Sequence, residues 1–273
     1  MNPPKGREED VLIKPAVAGV EAVLAAATRA GTVKRVVLTS SIAAVFAALA
    51  DKGPSHLFSE ADWNEASSKD YLPYHASKVA AERRAFEIEA GQTAWTLATI
   101  LPSVVQGPPA GDIKCESVGF MRKLLNGGLW PAVPGVGMAF VDVDDVAAAH
   151  ALAAVLPAAR GRYIVSAASM TLPEYAALLR PEYGMYKLPF ARVPTLVLWF
   201  LIRVLRQPLG DWDLIAASSG GVPRLDASKG VADLGLTYIP VGDTARDMAA
   251  ALIDMGVVRR LPGAPELGAA SRL

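Results

Sequence analysis

The 273-residue chain carries 27 basic and 27 acidic side chains, so its formal net charge is zero and its electrostatics recommend neither nucleic acid nor an acidic membrane surface as a partner. Its length buries a sizeable core, as one large domain or as a domain with a smaller lobe. One cysteine, Cys115, excludes an internal disulfide; with no secretory leader read at the start, the expected setting is reducing and cytoplasmic. The three histidines (His56, His75, His150) form no cluster with metal-ligand spacing, which argues against a zinc enzyme.

In chain order, Met1 to Asp10 is polar, with no strand pattern. Val11 to Ala30 reads as a helix: Pro15 is tolerated near its first turn, Val17, Val20, Val23 and Leu24 lie along one side, and Gly31 stops it. Val33 to Thr39 is a short β-branched strand of the kind buried in a parallel sheet. Ser40 and Ser41 close it. They are either turn and capping residues before the apolar stretch Ile42 to Ala50 or ligand-facing groups, because open α/β sheets bind ligands beyond the carboxyl ends of their strands. Asp51 to Pro73 is a long polar loop, a feature that is often functional in a compact domain. An uninterrupted helix is expected from Tyr74 to Ala90, closed by Gly91.

Thr93 to Leu101 is the next strand, broken by Pro102, after which the chain leaves the sheet through a loop punctuated by Gly107, Pro108 and Pro109. A helix over Val118 to Leu125 and a strand over Met138 to Val141 follow. The alanine-rich helix Val143 to Leu156 holds Asp144 and Asp145 in its first turn, where carboxylates suit the positive end of the dipole. Arg162 to Ser166 is a strand. Thr171-Leu172-Pro173-Glu174 has the form of a capping box opening a helix to about Arg180, Asp226 caps a helix ending at Gly235, and Thr244 to Met255 is a last amphipathic helix. The most apolar run, Val193 to Ile202, contains Pro194 and lies between Arg192 and Arg203. It is too short to cross a bilayer core of about 30 Å, so a buried or interfacial helix is expected and no transmembrane segment.

Chemistry concentrates at Tyr74-His75-Ala76-Ser77-Lys78. On a helix, Lys78 sits one turn after Tyr74, and a phenol and an ammonium project from the same face. A phenol of pKa about 10 is a poor acid or base at neutral pH, and a nearby cation favours phenolate and makes it usable. A second Tyr-x-x-x-Lys, Tyr183 to Lys187, includes Gly184 and is followed by Pro189, so its two ends need not share a face.

The order of these signals resembles the extended short-chain dehydrogenase/reductases, in the branch of dihydroflavonol reductases, cinnamoyl-CoA reductases and hydroxysteroid dehydrogenases. The residues that carry it are Val11 to Val17 with Gly19, Arg35 to Ser41, Tyr74 to Lys78, Leu101-Pro102-Ser103 with Gly107-Pro108, Phe140 to Val143 with Asp145-Val146-Ala147, and Asp226 with Ser228-Lys229 and Leu234-Gly235. The resemblance implies that Tyr74 is the catalytic acid/base, that Lys78 binds the nicotinamide ribose and tunes it, and that Ser41 holds the substrate oxygen, with Ser40 the neighbouring candidate. It also implies that Thr39, Ser40, Pro102, Ser103 and Val104 line an NADP or NAD site, NADP slightly favoured, and that the substrate is a small ketone, aldehyde or secondary alcohol. No metal is implied, and a homodimer is compatible. No asparagine lies between Val11 and Ala30, so the fourth catalytic residue of many relatives has no candidate there.

The family opens with a strand, a Gly-x-x-Gly-x-x-Gly turn and a helix, whose backbone amides hold the cofactor pyrophosphate. This sequence has no such turn; Gly135-Val136-Gly137 precedes a strand and reads as an ordinary turn. The expected fold is therefore α/β, an incomplete Rossmann-type parallel sheet with helices on both faces, short of about two βα units, plus a small C-terminal substrate lobe. Residues 1–165 would form the partial dinucleotide-binding domain, with lobe segments at about 108–135; residues 166–260 would be mainly lobe, and 261–273 a disordered tail. The strand at Val33 would present an unpaired edge, and the chain alone would bind dinucleotide weakly and be impaired as a reductase. Two other functions stay open. One is a cofactor-free binding fragment or pseudoenzyme. The other is epimerase or dehydratase chemistry on nucleotide sugars, less favoured because Leu196, Leu198, Trp199 and Phe200 make the lobe apolar.

Overall fold

The computed structural model describes residues 6–53, 55–111, 114–204 and 212–265. A wide-turn segment, Glu9–Ile13, leads into helix α1 (Lys14–Ala30), followed by strands β1 (Arg35–Thr39) and β2 (Leu57–Phe58), helix α2 (Pro73–Ala90), and strands β3 (Thr96–Pro102) and β4 (Val104–Gln106). Next come α3 (Glu116–Leu125), β5 (Ala132–Pro134), β6 (Gly137–Asp142), α4 (Val143–Val155), β7 (Gly161–Val165), β8 (Ala168–Thr171) and α5 (Leu172–Tyr183). The chain ends with β9 (Ala191–Val193), α6 (Thr195–Trp199), α7 (Trp212–Ala217), β10 (Arg224–Leu225), α8 (Ser228–Leu234) and α9 (Val241–Asp254).

These elements form two compact units. The first takes the chain through Ser103, then Val146–Val165 and Arg224–Thr237; the second takes Val104–Asp145, Ser166–Pro223 and the residues from Tyr238 onward. Segment 224–237, which the sequence reading places in the lobe, thus belongs with the first unit.

In the first unit β1, β3 and β7 make a parallel sheet in that order, with Val37 opposite Ala98 and Thr99 opposite Arg162. The apolar run of β3 is explained by burial on both faces: Leu97, Ala98, Ile100 and Leu101 are fully buried. One face carries α1 and α2, packed through Leu24, Ala85, Trp95 and Leu97, with the Trp95 indole donating to Thr28 Oγ1 at 2.9 Å. Val45, Leu49, Phe58, Leu101 and Ile164 form the other apolar cluster. The expected α/β class, a Rossmann-type parallel sheet, is the one found. Among the described residues β1 pairs only with β3, and Val36, Val37 and Leu38 are half-buried.

Three local features refine the sequence reading. Ile42 to Ala50 is two single turns, Ile42–Ala44 and Leu49–Asp51, because Ala48 is extended and its N–H is held by the Asp51 carboxylate at 2.9 Å. Pro102 does not break its strand but ends it: it lies opposite Val165, and Ser103 N–H supplies the bond to Val165 O at 3.0 Å, so the missing proline donor costs nothing. Glu9–Ala30 is one helix of 22 residues whose most apolar window has mean hydropathy 1.6, long and apolar enough by length and composition to cross a membrane, a test that core helices and signal sequences also pass. Its alanines and valines are each only mildly apolar, so it does not stand out as Val193 to Ile202 does.

The second unit has a mixed sheet, β4-β6-β8, and a parallel pair, β5 with β9. Its core gathers Met121, Leu124, Phe140, Tyr175, Leu179, Met248 and Leu252. The capping box is present: Glu174 Oε2 accepts from both Thr171 N, at 2.8 Å, and Thr171 Oγ1, at 2.6 Å. Asp142 caps α4, its Oδ1 accepting from Asp144 N at 2.8 Å, while Asp145 in the first turn interacts with the Asp142 backbone N–H and accepts from Ile239 N at 3.0 Å. Leu261 and Ala264, assigned in the sequence to a disordered tail, pack against this core; residues 266–273 of that tail lie outside the described residues.

Candidate active site

The site candidates Ser41, Tyr74 and Lys78 all lie in the first unit, at the carboxyl end of β1 and the first turns of α2. The approach to α2 is unusual. Leu72 is buried and takes φ 52, ψ 58, the only left-handed non-glycine conformation among the described residues, and Pro73 then occupies the first helical turn. A leucine there costs about 1–3 kcal/mol, so its burial pins the point at which the helix starts and Tyr74 emerges.

Consecutive residues of an extended chain face opposite ways, and Ser40 and Ser41 divide accordingly. Ser40 is buried and donates to Glu82 Oε2 at 2.8 Å. Ser41, extended at φ −166, ψ 156, sits beside the Tyr74 phenol and favours its ionised form, and its Oγ accepts from Ala43 N at 3.2 Å. Of the two serines, Ser41 is the one on the Tyr74 side. Lys78 Nζ lies 5.8 Å from the centre of the Tyr74 ring, as one helical turn dictates.

Partial desolvation raises the Tyr74 phenol above its ordinary value, although the residue is 49% exposed, and the neighbouring Ser41 hydroxyl opposes the rise. The direction runs against the expectation of a lysine-lowered phenol: burial also pushes the Lys78 ammonium down, with the Glu82 carboxylate opposing. At neutral pH Tyr74 is thus a protonated donor. His75, beside it, is held neutral by burial, its pKa lowered to about 4.

The remaining candidates are distributed. Thr39 is exposed and pairs with His150 at 2.7 Å; because His150 Nδ1 gives its proton to Val146 O, Nε2 accepts from the threonine. Pro102 and Ser103 are buried at the end of β3, and Ser103 Oγ has no hydrogen-bond partner among the described residues. Val104 opens β4 in the second unit. In the second Tyr-x-x-x-Lys, Tyr183 is buried and donates to Arg246 O, while Lys187 lies near the Trp130 ring, so the two do not act together.

Sequence reasoning passed over Glu82 and Arg162. Glu82 is one turn beyond Lys78 and fully buried, with Arg162 Nε on its Oε1 at 3.1 Å. The available signals were an acid in register with Tyr74 and Lys78 on a helix, and an arginine at the start of a buried strand.

A model of the NAD dependent epimerase/dehydratase family matches residues 6–165. The chain belongs to that family. Among its members it is 35% identical over 193 residues to an anthocyanidin reductase of Vitis vinifera, covering 66% of this chain and 56% of that one. It is 32% identical over 186 residues to cinnamoyl-CoA reductase 1 of Arabidopsis thaliana, covering 67% and 52%. The solved structure of yeast methylglyoxal/isovaleraldehyde reductase Gre2 complexed with NADPH superposes with a TM-score of 0.71 at 27% identity, over 92% of this chain and 73% of that one. The chain spans about half the length of the curated relatives it matches.

The cofactor the family implies is a nicotinamide dinucleotide, and the residues expected to face its nicotinamide carry groups that would fit it. Tyr74 and Lys78 offer donors, and Ser103 carries an unpartnered buried hydroxyl. A pyrophosphate cradle is not found in the glycines that pack closely. A Cβ on Gly137 would lie 2.2 Å from Gly221 O, and one on Gly107 would lie 2.7 Å from Val143 Cγ1, so protein fills both spaces.

Proposed function

We propose that this member of the family carries the carbonyl-reducing site of an NADPH-dependent reductase acting on a small aldehyde or ketone. The observation that carries the reading is the Ser41 hydroxyl placed beside the Tyr74 phenol, with the Lys78 ammonium one turn along the same helix face. A bound nicotinamide supplies the hydride. Ser41 orients the carbonyl oxygen, and Tyr74 Oη gives that oxygen its proton as the carbon is reduced. Lys78 stabilises the phenolate left behind, which then takes a proton from solvent. A phenol that is protonated at neutral pH suits the reducing direction. NADPH is favoured over NADH because two Gre2 reductases solved with a cofactor, at 27% and 26% identity, are complexes with NADPH. Without a glycine turn to supply backbone donors to the pyrophosphate, residues 1–273 alone bind NADPH more weakly than micromolar; calorimetric titration checks this.

The test is NADPH-dependent reduction of short aldehydes at saturating cofactor. Tyr74→Phe is expected to lower turnover by about 100-fold or more, the size of a general-acid contribution. Turnover unchanged by Tyr74→Phe contradicts the reading. Wild-type chain that reduces no aldehyde or ketone leaves a binding role instead.

A further inference from the structure

Beneath the site lies a buried polar assembly to which the chemistry just described assigns no part. The Glu82 carboxylate, on α2, accepts Thr99 Oγ1 from β3 at 2.7 Å and Arg162 Nε from β7 at 3.1 Å on Oε1. On Oε2 it accepts Ser40 Oγ from the end of β1 at 2.8 Å and the second Arg162 nitrogen at 3.3 Å. One side chain therefore ties a helix to all three strands of the sheet. Arg162 is saturated in turn: it donates to the carbonyls of Glu60, Asp62 and Ala44, and its guanidinium lies 3.9 Å from the centre of the Trp63 ring. The assembly thereby also fixes the 51–73 loop that leads into Tyr74.

Stability alone does not require such a pair, because a buried ion pair replaced by well-packed apolar groups is often neutral or stabilising. The groups it holds are more telling. Ser40 precedes Ser41, and Glu82 follows Lys78 by one turn, so the carboxylate grips the two backbone segments that present the reacting groups. We propose that Glu82 is the positioning residue of this site, joining the strand tip that carries Ser41 to the helix that carries Tyr74 and Lys78, with Arg162 as its counter-charge. The inference rests on the reductase reading and deepens it. Glu82 is also the carboxylate that favours the charged form of Lys78 against burial. Tyr74 shares the helix face with Lys78; β7 presents Arg162 to Glu82, while β1 and β3 present only the hydroxyls of Ser40 and Thr99.

The test uses the full chain with Glu82→Gln, Glu82→Asp and Ser40→Ala, each checked for folding by circular dichroism. The first readout needs no turnover: the pH at which the Lys78 amine becomes reactive to acylation, read by peptide mass spectrometry. In Glu82→Gln that midpoint is expected to fall by about one pH unit, and in Glu82→Asp, which keeps the charge, by less than half as much. The second readout is kinetic: Ser40→Ala removes one hydroxyl and no charge, and kcat is expected to fall about ten-fold with KM within two-fold, as for a small misplacement of reacting groups. A folded Glu82→Gln whose Lys78 midpoint is unmoved overturns the proposal, whatever its melting temperature. Should Glu82→Gln not fold, Ser40→Ala decides, and a wild-type kcat in that variant overturns it. Turnover retained by Tyr74→Phe fails the reductase reading itself, an outcome separate from the Lys78 midpoint.

Discussion

The two units bury different kinds of group. The first places an ionised pair, Glu82 and Arg162, with two hydroxyls on the carboxylate, at the centre of its packing. The second fills its core with apolar and aromatic side chains, Phe140 stacked on Tyr175 at 4.4 Å with Met121, Leu124 and Leu252 in the same cluster. Apolar packing tolerates changes of shape that preserve volume, whereas a hydrogen-bonded charge fixes direction as well as distance. In the unit that bears the candidate chemistry the buried carboxylate is matched by a buried arginine, whereas in the second the buried Asp142 accepts from Thr244 Oγ1 at 2.6 Å.

Breaking the pair sharpens the contrast most. Glu82→Ala leaves Arg162 buried and uncompensated, with an expected loss of about 3–5 kcal/mol by urea denaturation. Replacing both partners, Glu82→Leu with Arg162→Met, is expected to recover most of that stability and none of the reductase turnover. In the second unit the volume-conserving Met121→Leu is expected to cost under about 1.5 kcal/mol. If it costs as much as Glu82→Ala, the distinction between the two interiors fails.

Acid provides a second probe. Asp62 is held down to about 2 by Lys52, at 2.5 Å, together with Ser59 N–H and His56. A depressed carboxylate contributes stability above its unfolded pKa and loses it as pH falls through the folded value. His75, neutral and lowered to about 4, has the same sign: charging it opposes the native state once pH drops below its unfolded value. Each contributes on the order of 2 kcal/mol, lost between about pH 6 and pH 2. Buried Asp145 in the second unit is shifted upward, so protonating it favours the fold and its sign is opposite. Peptic cleavage is therefore expected to begin in the 51–73 loop as pH falls, and first cuts within α5 or α9 contradict this.

The smallest expected effect on stability is at Ser103. Its hydroxyl is buried and unpartnered among the described residues, so Ser103→Ala is expected to leave the melting temperature unchanged or raise it slightly. The same variant is expected to weaken NADPH binding, measured by titration. A loss of stability with unchanged binding points to a structural role for the hydroxyl.

Signals local to one element were legible in the sequence: Gly31 and Gly235 as helix stops, both left-handed, the Thr171–Glu174 capping box, and the shared face of Tyr74 and Lys78. What escaped depends on partners distant in sequence. Glu82 sits in a helix rich in Glu and Arg, where an acid usually meets water, and its counter-charge is 80 positions away. Asp142 was missed as a cap of α4 because it ends a strand; its side chain reaches forward to Asp144 N–H, and Asp145 reaches back from the first turn. Ile42 to Ala50 was apolar enough for a helix, yet an extended Ala48 held by Asp51 divides it.

The most direct measurement of the central claim is transfer of label from NADPH deuterated at nicotinamide C4 to the carbonyl carbon of an aldehyde, read by mass spectrometry of the alcohol. The account predicts labelled alcohol from the wild-type chain and almost none from Tyr74→Phe. Equal labelling from both proteins would contradict it.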